Sequence, residues 1–117
     1  MEVTPHKHHR LDYVELAVTD TAAAKAFYGA AFGWTFNDYG PGYVGYSDGR
    51  AGEAGGFVLQ ERVTAPLVVM YSSSLEATRD AVIAAGGKIA KDIFEFPGGR
   101  RFEFHDPAGN LLGVWSD

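Results

Sequence analysis

One internal offset constrains this chain more than any single motif: a pattern of element signals repeats after 54 residues. Tyr13-Val14-Glu15-Leu16-Ala17-Val18 has the alternating, β-branched character of a strand. Asp20 stands where a helix N-cap would accept free backbone amides. Ala24, Phe27, Tyr28 and Ala31 then follow as one helical stripe, which assigns Phe27 and Tyr28 to the core. Gly33 closes the helix and Trp34-Thr35-Phe36 opens a new strand. The second half repeats this order. Leu67–Tyr71 reads as a strand, Ser74 as an N-cap, and Thr78, Ala81, Val82 and Ala85 as the stripe, before Gly86-Gly87 and a strand from Lys88. Tyr13 and Leu67, Asp20 and Ser74, and Gly33 and Gly87 are the matching pairs.

Short strands punctuated by turn residues complete each half. They are expected at 34–38, 42–47 and 55–60 in the first half and at 88–94, 100–105 and 110–116 in the second. The Gly55-Gly56 pair implies a bulge or a close strand approach. Each half is therefore β-α-β-β-β, an α+β arrangement. Neither sheet can bury both faces alone, so the halves must pack on each other or on a second chain. The expected layout is a flexible tail at 1–10, then one domain at 11–117 built of modules 11–62 and 65–117.

With 117 residues the chain is long enough for one core and too short for two domains. Its net charge of -5 speaks against nucleic acid or an anionic membrane as partner. No apolar run suggests a membrane span or a signal peptide, and a cytoplasmic location is expected. The chain has no cysteine, which removes disulfides, thiolate metal sites and cysteine nucleophiles from consideration. No Gly-x-Ser-x-Gly elbow, Walker sequence or Rossmann fingerprint is present. Ser72-Ser73-Ser74 suits helix capping better than attack on a carbonyl.

The residues from Val14 to Asp20, with Ala24, Phe27-Tyr28 and Phe32-Gly33-Trp34, resemble the opening module of the glyoxalase/bleomycin resistance/extradiol dioxygenase (vicinal oxygen chelate) superfamily. Phe104-x-Asp106-Pro107-x-Gly109-Asn110 resembles the turn before that family's last strand. The likeness covers the chain from residue 10 onward. It implies two βαβββ modules whose strands form a curled mixed-sheet cup, a fold that holds a divalent metal in many members and a small molecule without metal in others.

The resemblance also implies where metal ligands would stand, and there this chain carries Tyr13, Leu67 and Gly113. A phenol with an ordinary pKa near 10 is a poor ligand at neutral pH, and the other two side chains offer no donor. No metal and no other cofactor is therefore expected. Strand alternation puts Tyr13 and Glu15 on one face of the first strand, opposite Val14, Leu16 and Val18. On the same reasoning Val69 and Tyr71, and Gly113 and Trp115, face the cup. The expected ligand-binding set is Tyr13, Glu15, Val69, Tyr71, Gly113 and Trp115, an apolar and aromatic lining with one evident charge. Glu103 and His105 are possible acid/base groups, but alternation with Phe102 and Phe104 leaves open which pair faces inward. His6, His8 and His9 read as solvated tail residues.

The expected function is metal-independent binding of a small, partly apolar organic molecule, by a homodimer. Two alternatives stand beside it. One is a lyase, isomerase or dioxygenase of glyoxalase type with a metal site relocated to Glu15, Glu103 or His105; the other is a non-catalytic structural or regulatory subunit.

Overall fold

The computed structural model describes residues 6–117 and resolves into two compact units. One is Tyr13–Pro66; the other joins Leu67–Asp117 to the segment that ends at Asp12. Of the expected tail at 1–10, residues 1–5 lie outside the described part.

The first module runs β1 (Leu11–Val18), α1 (Thr21–Phe32), β2 (Thr35–Asp38), β3 (Tyr43–Ser47) and β4 (Gly55–Leu59). Its strands lie in the order β2-β3-β4-β1, antiparallel except for the parallel pair β4 and β1. Asp20 caps α1 through its carboxylate, which accepts the Ala23 N–H at 3.0 Å. Gly33 ends the helix at φ 73°, a left-handed conformation that favours glycine. Val44, Tyr46, Ala54 and Phe57 form the buried core, joined by Leu16, Val18, Tyr28 and Trp34 among others. Trp34 is stacked between Tyr28 (4.8 Å, 11°) and Tyr46 (4.5 Å, 6°).

The helix stripe is narrower than expected. Tyr28 packs on Trp34 and Phe57, but Phe27 is 59% exposed and touches Tyr28 only edge-on. Ala24 and Tyr28 lie one turn apart and form the seam of α1, while Phe27 is rotated about 100° from Tyr28 and falls outside it. Phe27 is a surface residue, not a core residue.

The second module repeats the order with β5 (Leu67–Tyr71), α2 (Leu75–Ala84), β6 (Lys88–Phe96), β7 (Gly99–His105) and β8 (Leu111–Ser116). Its strands lie in the order β5-β8-β7-β6, again with the outer pair β5 and β8 parallel. Leu75, Phe102, Phe104 and Val114 are buried together, and Met70, Val82, Ile89, Ile93 and Leu112 pack around them. Ser74 holds the N-cap position of α2 but makes no capping bond with its side chain. The buried Ser72 hydroxyl takes the Ser74 N–H at 3.0 Å instead, and is bonded in turn to the Thr78 hydroxyl at 2.7 Å. Burial explains these two bonds, because a hydroxyl removed from water must find partners.

Asp106 organises the turn before β8. Its carboxylate accepts the Ala108 and Asn110 N–H groups and the Asn110 side-chain amide, each at 2.9 Å. These bonds, the Asn110 side chain foremost, hold its carboxyl below the usual range. At the other end of the module His9 donates its backbone N–H to the Tyr71 carbonyl at 2.7 Å, and Tyr71 donates to the Arg10 carbonyl at 3.0 Å. Among the described residues no helix is long and apolar enough to cross a membrane.

Candidate functional site

The helices fix which face of each sheet they leave uncovered. In the first module Leu16 and Val18 join the core under α1, so Tyr13 and Glu15 occupy the opposite, helix-distal face. Glu15 is 8% exposed and pairs in register with Gly56, which pairs with Gly45. The Tyr43 hydroxyl donates to Glu15 Oε2 at 3.1 Å. A side chain at Gly56 would collide with that hydroxyl, and one at Gly45 would collide with the Glu53 carboxylate. Glu53 in turn accepts from Asn37 at 3.0 Å and from the Tyr39 hydroxyl at 2.8 Å. That bond, with a smaller contribution from burial, raises the Tyr39 pKa. This face therefore carries two carboxylates, each with a tyrosine donor, over a glycine floor. On the core face Tyr46 lies over Gly55 in the same way and donates to the Val14 carbonyl at 2.7 Å. Burial pushes the Tyr46 pKa up to about 12. Gly55 and Gly56 are thus a close approach on both faces, with no bulge in the register.

In the second module the burial of Phe102 and Phe104 against α2 decides what alternation left open. Arg101, Glu103 and His105 face the helix-distal side, with Val69, Tyr71, Gly113 and Trp115. Gly113 lies between Val69 and Glu103, its register partners on the two neighbouring strands. Val69 is fully buried, and a methyl group at Gly113 would only touch it, at 3.4 Å. Glu103 is bonded to Arg101 at 2.9 Å, and both side chains are 16% exposed. His105 is exposed at the end of β7.

Tyr71 and Trp115 are also register partners and meet nearly perpendicular, with ring centroids 5.3 Å apart. Their polar groups are engaged: the Trp115 indole N–H donates to Asp12 at 2.8 Å, and the Tyr71 hydroxyl donates to Asp117 at 2.5 Å. The latter bond raises the Tyr71 pKa and lowers that of Asp117. What the two rings offer beyond this is aromatic surface.

The donor set does not fit a resident divalent metal. The implied ligand positions hold Tyr13, Leu67 and Gly113, and the carboxylate nearest in register to Gly113, that of Glu103, is neutralised by Arg101. Among the described residues no group of three His, Asp or Glu side chains is placed to hold an ion.

Four residues at or beside these faces escaped the sequence reading: Asp12, Tyr43, Glu53 and Arg101. The reading of His6, His8 and His9 as solvated tail residues is corrected, since His6 is bonded to Asp12, His8 to Ser73 and His9 to Thr78. Arg101 was within reach, since Arg101, Glu103 and His105 alternate with two phenylalanines. Asp12 and His6 carried no periodic signal, because they act at and before the start of β1.

Residues 10–114 match the family described as the Glyoxalase/Bleomycin resistance protein/Dioxygenase superfamily. Over 115 residues the chain is 30% identical to CFP32 of Mycobacterium bovis, a protein named provisionally as a glyoxylase; the match covers 89% of this chain and 44% of that protein. It is similar to the Mn(II)-bound glyoxalase from Novosphingobium aromaticivorans, with a TM-score of 0.73, 26% identity, and coverage of 94% of this chain and 39% of the other. It shares the fold of the methylmalonyl-CoA epimerase from Mycobacterium tuberculosis at a TM-score of 0.73 and 16% identity, over 98% of this chain and 92% of that one. The chain spans less than half the length of the first two relatives. The repeated βαβββ modules, the Asp-Pro-Ala-Gly-Asn turn and the match over nearly the whole length carry one conclusion: this chain belongs to the glyoxalase/bleomycin resistance/dioxygenase superfamily.

Proposed function

We propose that the chain binds a small, partly apolar organic molecule on its helix-distal sheet faces, and does so without a divalent metal. The observation that carries this reading is the substitution of metal donors by Tyr13, Leu67 and Gly113, together with the commitment of Glu103 to Arg101. The faces keep what a ligand site needs: aromatic surface at Tyr71 and Trp115, a small residue at Gly113, and polar groups held in fixed positions at Glu15 and Glu103. A thermal-shift screen with apolar and aromatic acids, amines and alcohols, read together with Trp115 fluorescence, tests it. Ligand-dependent stabilisation in the presence of a chelator supports the reading. Stabilisation only after addition of manganese, nickel, zinc or iron favours the rival reading, an enzyme of glyoxalase type using Glu15, Glu103 or His105. A screen with no hit under either condition leaves the structural-subunit reading.

A homodimer is part of the same proposal. One exposed face of α1 consists of Ala22, Ala23, Ala26, Phe27, Ala30 and Ala31, with Phe32 exposed at the end of the helix and the one charged side chain, Lys25, turned to Asp38. Phe27 and Phe32 are 59% and 63% exposed, which is the character of a surface that a second copy covers.

A further inference from the structure

His6 lies against the two rings that the second module offers to a ligand. Its ring stacks on Tyr71, with centroids 5.3 Å apart and planes at 22°. It meets Trp115 edge-on, at 4.8 Å and 88°. The Nδ1–H donates to Asp12 Oδ1 at 2.9 Å, while the other oxygen of that carboxylate accepts the Trp115 indole N–H at 2.8 Å. The Asp12 side chain is only 9% exposed. Asp117, held by the Tyr71 hydroxyl, adds a second negative charge at the same place. Tyr71 and Trp115 thus form the two walls of a corner, and a buried carboxylate forms its base.

We propose that this corner of Tyr71, Trp115 and Asp12 is a binding slot for a planar, N–H-bearing heterocycle that is or can become cationic, and that His6 is its internal occupant. The proposal rests on the ligand role assigned above to Tyr71 and Trp115, and it adds the chemical class of the group they receive. Each wall selects for that class. Aromatic faces favour a flat ring, and more so a positive one. The carboxylate requires a donor facing it and, with Asp117, repels anions. The His6 ring can leave without undoing the strand-like pairing of the segment, which is made further along the chain by His9 and Arg10 with Tyr71. An occupant tethered this closely competes at a high effective concentration. An external ligand therefore binds with an apparent affinity reduced by the fraction of time the slot is filled.

Imidazole is the simplest probe, and the indole N–H resonance of Trp115 is the reporter, assigned by its disappearance in Trp115→Phe. In His6→Ala, imidazole should shift the Trp115 resonance saturably and leave that of Trp34 in place. If His6 fills the slot about nine-tenths of the time, half-saturation should come at an imidazole concentration about tenfold lower than in the wild type. A chain lacking residues 1–6 should behave as His6→Ala does, and Asp12→Asn added to His6→Ala should abolish the response. No saturable shift in either opened variant, or the same half-saturation as the wild type, overturns the slot. If imidazole fails while apolar ligands still perturb Trp115 in the wild type, only the slot falls. If both fail, the ligand reading of these rings falls with it.

Discussion

Gly55 and Gly56 are adjacent, yet their side-chain positions are blocked by different kinds of atom, and this predicts different costs. A methyl group at Gly56 meets the far end of Tyr43, a side chain that can swing away once its bond to Glu15 is given up. A methyl group at Gly55 meets the Val14 carbonyl as well as Tyr46, so the backbone of β1 must move. Gly56→Ala should cost about 1–3 kcal/mol and Gly55→Ala more, compared by urea denaturation. A second comparison concerns the aromatic residues. Phe57→Ala should cost about 3–5 kcal/mol, because Phe57 is fully buried. Phe27→Ala should cost about 1 kcal/mol, since edge contacts with Tyr28 and Phe32 are most of what it loses. Trp115→Ala should fall between them and should weaken ligand binding more than Phe57→Ala does. At this scale the sequence was legible only in part. The facings of Glu15, Val69, Gly113 and Trp115 followed from alternation. Phe27 did not, because a stripe shows which residues are apolar and not how wide a seam the helix buries. Tyr43 with Glu15, and His6 with Asp12, are pairings between distant segments, and periodicity carries no information about them.

Helix α2 is tied to its sheet by an ion pair with a defined pH signature. Arg100 on β7 donates to Glu76 in the first turn of α2 through both terminal nitrogens, at 2.5 and 3.2 Å. Chiefly through this bond the Glu76 carboxyl falls from the ordinary 4.5 to about 2. A carboxyl with a depressed folded pKa adds stability that is complete above its unfolded value and is lost as pH falls through the folded one. The Tm difference between wild type and Glu76→Gln should therefore be flat above about pH 5 and shrink between pH 4.5 and about 2. The pair is open to solvent, so the difference should be small and smaller still in high salt. A difference that grows on acidification would contradict the assignment. Element positions were the most legible part of the sequence, because glycines, Asp20 and the Asp106 turn each act locally. Leu67–Tyr71 is observed as expected, whereas β6 runs on to Phe96 before a turn in which Gly98 takes φ 116°. The N-cap position of α2 at Ser74 was legible, but the buried Ser72 hydroxyl that accepts the Ser74 N–H was not, because three consecutive serines offer the same chemistry and only burial distinguishes them.

For the whole molecule, the uncharged exposed face of α1 predicts self-association. Sedimentation equilibrium at micromolar concentration should give about twice the 12.6 kDa chain mass, and Phe27→Asp with Phe32→Asp should return it to one. A wild-type monomer would remove that part of the proposal. The repeat made the family legible, since two copies of one β-α-β-β-β order leave few alternatives. It could not reveal the chemistry, because a fold that hosts several functions is distinguished by a handful of side chains. In the proposed function, Tyr13, Leu67 and Gly113 replace the metal donors of the family and leave a ligand site that works without one. The most direct test is elemental analysis after the chain, with His6, His8 and His9 replaced by Gln, is loaded with manganese, nickel, zinc or iron(II) and then desalted. Far less than one metal per chain and an unchanged Tm are expected. About one tightly held metal per chain, lost in Glu15→Ala or Glu103→Ala, would contradict the proposal.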